Sequence, residues 1–356
     1  MTRRAMLFML ATVATASFLV SPAAAKGPKD FFGVVQGPAF TQRDYQQLGK
    51  AGTGTVRFGL QWNIVQPTRT SGFRWSVYDA RIGTLAAHGI RSFPTLGSSP
   101  PWIASKPTHP PLKSKKAKRA WSRFVTAAVN RYGRGGSYWR TTYRQQHPGK
   151  PQRPISEWQI WNEPNLAKFF PKKRRVRNYA KLVKISHKAI RRGDRRAKVV
   201  LAGMPAFKHP SADKFLGRLY HVKGFKRSFD SAALHPYATN MRKFVTAIKR
   251  MRQTMKRHHD KRAGLWLTEV GWGSSHNGQR LNKGKRGQKR LLKKSFSVSV
   301  HKRRKWHIQG VQWFDWRDPG AGQPTGCSFC SSAGLLKHNY AKKPAYRAFR
   351  QLAKRY

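Results

Sequence analysis

The chain has 356 residues, of which 73 are Lys or Arg and only 12 are Asp or Glu, so its formal net charge is +61 at neutral pH. Its length suits one large domain, and 39% hydrophobic residues with 12 Trp are enough to bury a core. The charge predicts attraction to polyanions. No nucleic-acid recognition motif accompanies the basic residues, so we expect no specific nucleic-acid partner.

The first 25 residues have the pattern of a secretory signal peptide. Arg3 and Arg4 precede an apolar stretch over residues 6–20, and small residues lead to a cleavage site after Ala25. An uncleaved membrane anchor is the alternative, but 15 apolar residues are short for a transmembrane span. We therefore expect a mature domain over residues 26–356 that is secreted or associated with the cell wall, with no later transmembrane segment.

Eight short apolar or β-branched segments predict strands. They cover residues 31–36, 54–60, 91–96, 157–162, 198–203, 230–235, 265–269 and 309–315. Between them, Tyr179, Leu182, Ile185 and Ala189 form one helical stripe, and Pro344 begins a closing amphipathic segment. Strands that alternate with helices predict parallel βαβ units. The economical architecture is a single (β/α)8 TIM barrel of the α/β class, with chemistry at the strand ends.

Glutamate is nearly absent, since Glu157, Glu163 and Glu269 are the three in the chain. Glu163 follows the fourth predicted strand and Glu269 ends the seventh, so a barrel brings both to its C-terminal rim. Glu157 lies six residues before Glu163, about 20 Å along a strand, so we expect it at the other end, paired with a nearby base. Two carboxylates at one rim are what cleavage of a glycosidic bond needs.

The two rim carboxylates lie in segments that resemble a known family. Trp-Asn-Glu-Pro-Asn at 161–165 and Thr-Glu-Val-Gly-Trp at 268–272 are similar to the acid/base and nucleophile segments of clan A retaining glycoside hydrolases, particularly families 39 and 5. The resemblance covers most of the mature chain. It implies that Glu163 is the general acid/base and Glu269 the nucleophile, with carboxyl groups about 5 to 5.5 Å apart.

Four other positions match the same family pattern. The resemblance implies that Asn162 binds the sugar 2-hydroxyl, and that Arg57 lies near the nucleophile. In His-Pro-Tyr at 235–237 it implies that His235 belongs to the site and that the hydroxyl of Tyr237 supports the nucleophile. Family 39 membership would imply β-xyloside or uronide substrates, and family 5 membership β-glucan or β-mannan.

Aromatic side chains complete a sugar site, because the C–H face of a pyranose packs on a ring. Several tryptophans lie just after, or at the end of, predicted strands. We expect four of them to line the cleft and bind substrate: Trp62, Trp102, Trp313 and Trp316.

Cys327 and Cys330 are the two cysteines of the chain, and they lie in a Gly- and Ser-rich stretch. In an exported protein this spacing predicts a loop-closing disulfide more readily than a redox pair or half of a zinc site. The sequence contains no His-Glu-x-x-His, phosphate loop or dinucleotide fingerprint. We therefore expect neither a metal nor a cofactor.

Together these features predict a secreted retaining hydrolase that cleaves β-glycosidic bonds of a polysaccharide or oligosaccharide. The positive charge favours an acidic polysaccharide as substrate and non-specific association with acidic cell-wall polymers. Basic runs at 113–119, 172–177 and 283–290 are expected to be solvated surfaces. The alternative is a non-catalytic protein of the cell envelope that binds glycans or polyanions on the same barrel.

Overall fold

Eight parallel strands close into a barrel in the computed structural model, which describes residues 28, 30–323 and 325–356. The strands are β1 (Phe32–Val35), β2 (Thr55–Gln61), β3 (Arg91–Gly97), β4 (Glu157–Ile160), β5 (Lys198–Pro205), β6 (Ser231–His235), β7 (Gly264–Val270) and β8 (Ile308–Trp313). Each strand pairs with the next and β8 pairs with β1, which confirms the predicted barrel. The predicted signal peptide lies outside the described residues.

Helices surround the barrel and cover its outer face. They are α1 (Gln42–Lys50), α2 (Trp62–Val65), α3 (Ser76–Ala87), α4 (Lys115–Tyr132), α5 (Ser137–Arg140), α6 (Thr142–Gln146), α7 (Arg175–Gly193), α8 (Ala212–Tyr220), α9 (Met241–Arg257), α10 (Gly284–His301), α11 (Arg303–Trp306) and α12 (Pro344–Arg355). None of the helices in the described ranges is long and apolar enough to cross a bilayer.

Capping residues and apolar stripes explain where the long helices begin and which face they bury. The Ser114 hydroxyl accepts a hydrogen bond from the Ala117 amide at the start of α4, and Asn240 caps α9 in the same way. The α12 helix begins at Pro344, as predicted, because proline suits the first helical turn. On α7 the predicted stripe holds, with Tyr179 fully buried against the barrel.

The barrel interior changes from apolar to polar along its axis. Phe93 on β3 and Trp266 on β7 pack with ring centroids 4.5 Å apart, and Val200 and Ala233 complete this apolar layer. Thr95 lies two residues further along β3 and points to the same face, because side chains alternate along a strand. It begins a polar layer that leads to the C-terminal rim.

Candidate active site

The segment after β4 presents Glu163 through a strained turn. Trp161 and Glu163 have φ values of 71° and 44°, a left-handed conformation that costs a non-glycine residue on the order of 1–3 kcal/mol. Hydrogen bonds hold the turn: the amide of Trp161 donates to Leu96 O at 2.9 Å, and that of Glu163 donates to Gly203 O at 3.0 Å. The Trp161 indole donates to Phe169 O at 2.9 Å. Two residues of this turn, one of them Glu163 itself, therefore carry backbone strain.

Glu269, on β7, is held by two donors. Arg57 Nη1 donates to Oε1 at 2.7 Å, and the Tyr237 hydroxyl donates to Oε2 at 2.6 Å. Burial by itself would raise the pKa of Glu269, but the charges of His235 and Arg57 and these hydrogen bonds outweigh it, so the pKa lies below its usual value. Burial and the neighbouring Glu269 raise the pKa of Tyr237 well above its usual value, so its hydroxyl stays a donor. Glu269 is therefore ionised.

Arg57 connects three strands through its guanidinium group. Besides Glu269, it donates from Nη2 to Asn162 Oδ1 at 2.8 Å and from Nε to Gln159 Oε1 at 2.7 Å. Gln159 also accepts from the Thr95 hydroxyl at 2.9 Å, so its orientation is set from two sides. Because Arg57 occupies Asn162 Oδ1, the amide nitrogen of Asn162 is the group available to a ligand.

His235, at the end of β6, lies between the two carboxylates. Its Nδ1 is 2.8 Å from Glu163 Oε1 and 3.3 Å from Glu269 Oε2, and since carboxylate oxygens accept, Nδ1 carries the hydrogen. The ring fits because Gly203 has no side chain: a Cβ there would lie 1.9 Å from His235 Nε2. A glycine on β5 thus makes room for the imidazole.

One carboxylate oxygen of Glu163, one of Glu269 and one ring nitrogen of His235 all lie within 4.8 Å of one another. Three such groups have the composition of a cation site. However, Arg57 and Tyr237 already donate to both oxygens of Glu269. The donor set therefore fits a pair of carboxylates better than a metal.

A cavity of about 280 Å³ reaches this cluster at Glu269, whereas Glu163, His235 and Tyr237 are not among its lining residues. Arg57, Asn162, Phe169 and Glu269 lie in its wall, together with residues that the sequence analysis missed, among them Gln36, Phe58, Gln61 and Thr95. The partly exposed Phe169 lies in the same cavity wall as Glu269. The sequence analysis also missed Gln159. One feature could have indicated it, since it is polar within an apolar run and lies on the same strand face as Glu157.

Three of the four tryptophans predicted to bind substrate do not line the cleft. Trp62, Trp313 and Trp316 are fully buried in the layer outside the barrel, so these predictions are wrong. Trp313 follows Gln312, which points into the barrel toward Thr55, and the alternation of side chains turns Trp313 outward. Their indole nitrogens donate to partners outside the cavity, namely Gln66, Ala333 and Asp44.

Trp102 is partly exposed but is not among the residues that line the 280 Å³ cavity. It packs edge-on against Trp62 and donates to Gln66 O at 3.1 Å. Its role in substrate binding stays a prediction.

The predicted disulfide between Cys327 and Cys330 is formed. It closes a turn that holds Phe329, whose ring packs 5.2 Å from that of Tyr237 and 6.2 Å from that of Phe314. Phe329 is buried by these contacts. The disulfide loop therefore supports the tyrosine that donates to Glu269.

The fold and the rim geometry define a class. The chain is a (β/α)8 barrel with one glutamate just after β4 and another on β7, and this barrel is the fold of the glycoside hydrolases to which its two motifs are similar. No family model matches the chain, and no curated protein sequence does.

Solved structures that are similar include a family 39 glycoside hydrolase from Bacteroides cellulosilyticus, with a TM-score of 0.69 and 19% identity over 92% of this chain. The chain spans 64% of the length of that protein. A monomeric β-xylosidase from Caulobacter crescentus has a TM-score of 0.64 at 18% identity, covering 93% of this chain and 69% of its own. A GH5 protein from Bifidobacterium longum has a TM-score of 0.61 at 15% identity, covering 88% and 72%.

Proposed function

We propose that the protein is a retaining glycoside hydrolase that acts on β-linked glycosides by double displacement. The observation that carries the proposal is the pair formed by Glu163 and Glu269, whose oxygens lie within 4.8 Å, with Glu269 held ionised by Arg57 and Tyr237. Retention requires carboxyl groups about 5 to 5.5 Å apart, whereas inversion needs about 6.5 to 9.5 Å to admit a water molecule.

In the first step a Glu269 oxygen attacks the anomeric carbon, and the bond from that carbon to the leaving oxygen breaks. Glu163 transfers its proton to the leaving oxygen. In the second step Glu163 takes a proton from a water molecule, the water oxygen bonds to the anomeric carbon, and Glu269 leaves as a carboxylate. Arg57 and Tyr237 stabilise Glu269 as its charge is lost and regained.

The other residues of the cluster orient the substrate and the two carboxylates. Asn162 has its amide nitrogen free to donate to a sugar hydroxyl, as the motif implies for the 2-hydroxyl. His235 Nδ1 lies within 3.3 Å of both carboxylates and so links them. Phe169 supplies an apolar face on which a pyranose ring packs.

We also propose that the protein is exported, because residues 1–25 have the pattern of a signal peptide.

The test is the configuration of the first product. A panel of aryl β-glycosides (xyloside, glucoside, mannoside, galactoside, glucuronide) is incubated with the protein, and the anomeric proton of the released sugar is followed by NMR before mutarotation. The β-anomer is expected first. Initial release of the α-anomer would overturn double displacement, and no hydrolysis of any aryl glycoside or β-linked polysaccharide would favour a non-catalytic binding protein.

A further inference from the structure

A second concave surface lies at the catalytic end of the barrel, and we call it the rim groove. It has a volume of about 370 Å³ and lies between the start of α7 and α8. Five cationic side chains line it: Lys172, Arg174, Arg175, Arg177 and Arg218. The groove thus contains most of the basic run 172–177, and no acidic side chain of the described residues is in its lining.

Hydrogen bonds join the rim groove to the segment that carries Glu163. Arg175 Nη1 donates to Asn165 O at 2.8 Å, and Asn165 Nδ2 donates to Pro210 O, also at 2.8 Å. Arg175 and Pro210 both line the groove. Asn165 is two residues from Glu163, and two residues span at most about 7 Å. The rim groove is therefore hydrogen-bonded to the same segment that carries Glu163.

Two other basic cavities lie at the opposite end of the barrel. One, of about 540 Å³, lies within residues 143–152, before β4. The other, of about 600 Å³, is formed by residues within 223–227 and by Asp260, before β6 and β7. Segments that precede strands lie at the N-terminal end, whereas segments that follow strands lie with the catalytic residues. Position, and not charge alone, distinguishes the rim groove.

The rim-groove cations have no carboxylate partner within the described ranges. Arg175 is satisfied by three main-chain carbonyl groups of residues 165–171, so it shapes the groove. The side chains of Lys172, Arg177 and Arg218 are exposed and free to meet a ligand. A concave surface of one charge sign concentrates ions of the opposite sign, and Arg binds carboxylates through two parallel hydrogen bonds.

We propose that the rim groove binds carboxylate groups of an acidic polysaccharide whose chain continues into the catalytic cavity. This inference rests on the proposed function, since it adds a binding site for the charged part of the same substrate. An acidic polysaccharide is favoured over a phosphate polymer, because the groove adjoins a site built for a glycosidic bond.

The experiment uses two triple variants with the same loss of charge. The groove variant is Lys172→Ser, Arg177→Ser, Arg218→Ser, and the control is Lys223→Ser, Lys226→Ser, Arg227→Ser at the opposite end, where the side chains are also exposed. Both are made in a Glu269→Gln background, which keeps oligosaccharides intact. Calorimetry measures Kd for a β-1,4-linked hexamannuronate and for its neutral counterpart, mannohexaose, at low ionic strength.

The groove variant is expected to bind hexamannuronate about tenfold or more weakly, while the control variant binds it as before. Mannohexaose binding should be the same in both. Equal weakening in the two variants would reduce the effect to net charge and overturn the proposal, as would no weakening in either. A groove variant that loses polyphosphate binding but keeps hexamannuronate would assign the groove to phosphate polymers and overturn it too.

The outcomes separate this proposal from the proposed function. Hydrolysis of aryl glycosides is measured independently, with Glu269 unchanged, for the groove substitutions and for the control substitutions. If no glycoside is hydrolysed but only the groove variant loses affinity for hexamannuronate, the catalytic proposal fails and the groove is supported as a binding site. If hydrolysis occurs and the two triple variants bind hexamannuronate equally, the groove proposal fails and the catalytic one stands.

Discussion

Glu157 and the pair of Glu163 and Glu269 lie at opposite ends of one barrel. All three carboxylates are buried, and Glu157 and Glu269 each lie beside an arginine. The exposed fraction is 8% for Glu157, 8% for Glu163 and 9% for Glu269. Arg91 Nη1 lies 2.9 Å from Glu157, much as Arg57 lies 2.7 Å from Glu269. Burial and an arginine partner therefore do not distinguish the proposed nucleophile from a carboxylate in a structural ion pair.

The surroundings beyond the arginine make the difference. At the C-terminal end, a second carboxylate, Glu163, shares His235 with Glu269, and a cavity reaches Glu269. At the N-terminal end, Arg91 joins Glu157 to Asp30 at the edge of the barrel, which is the ion pair expected from the sequence. At the C-terminal end, two carboxylates share one imidazole beside a cavity. At the N-terminal end, the two carboxylates share one arginine in an ion-pair cluster.

The largest effect is expected for Glu269→Gln, with Glu157→Gln as the matched control. The first change removes the nucleophile and should lower kcat by about 10⁴-fold or more, because no covalent intermediate forms. The same chemical change at the other end of the barrel should leave kcat of the folded protein unaltered. Steady-state kinetics on the best aryl glycoside, with circular dichroism of both variants, checks this; comparable losses in both would erase the distinction between the two ends.

The loss of activity in Glu163→Gln should depend on the leaving group of the substrate. A general acid contributes about 10² to 10⁴-fold, so kcat/KM should fall by that amount for glycosides whose leaving group needs a proton. For a dinitrophenyl glycoside, whose leaving group needs no proton, kcat/KM should fall far less. A series of aryl glycosides of increasing phenol pKa measures the difference, and an equal loss across the series would show that Glu163 is not the acid.

Tyr237→Phe should lower kcat/KM about 10- to 100-fold, since a hydrogen bond to a charged group contributes about 1.5–3 kcal/mol. It should also move the acid limb of the pH profile. The Tyr237 hydroxyl helps to lower the pKa of Glu269, so its removal raises that pKa and the limb moves to higher pH. An acid limb at the same pH as in the wild type would separate Tyr237 from the ionisation of Glu269.

The smallest effect is expected on stability at the N-terminal end. Glu157→Gln weakens the ion pair with Arg91, whose side chain is partly exposed, and should lower the free energy of unfolding by about 1 kcal/mol. Urea denaturation at low and high salt measures it, and the difference should shrink as salt rises. A loss that is independent of salt would indicate packing rather than charge as the contribution of Glu157.

The barrel and its carboxylates were accessible from the sequence, because strand periodicity and the two motifs are local patterns. The positions of the tryptophans relative to the cavity were not accessible in this way. Whether Trp313 points into the barrel depends on its neighbour Gln312, and therefore on the register of β8 against β1, which one strand does not reveal. Gly203 was missed for a similar reason, since its importance comes from His235 on the adjacent strand.

Arg57 makes three hydrogen bonds to residues that are far away in the sequence, at separations of 102, 105 and 212 positions. The site is therefore not assembled within any single βα unit. Contacts of such long sequence separation form late, since the loops between them must first be closed. In a refolding experiment, the recovered hydrolytic activity would measure the fraction of molecules in which strands β2, β4 and β7 have come together. Helix content can recover before the barrel closes, so it is a weaker measure of closure.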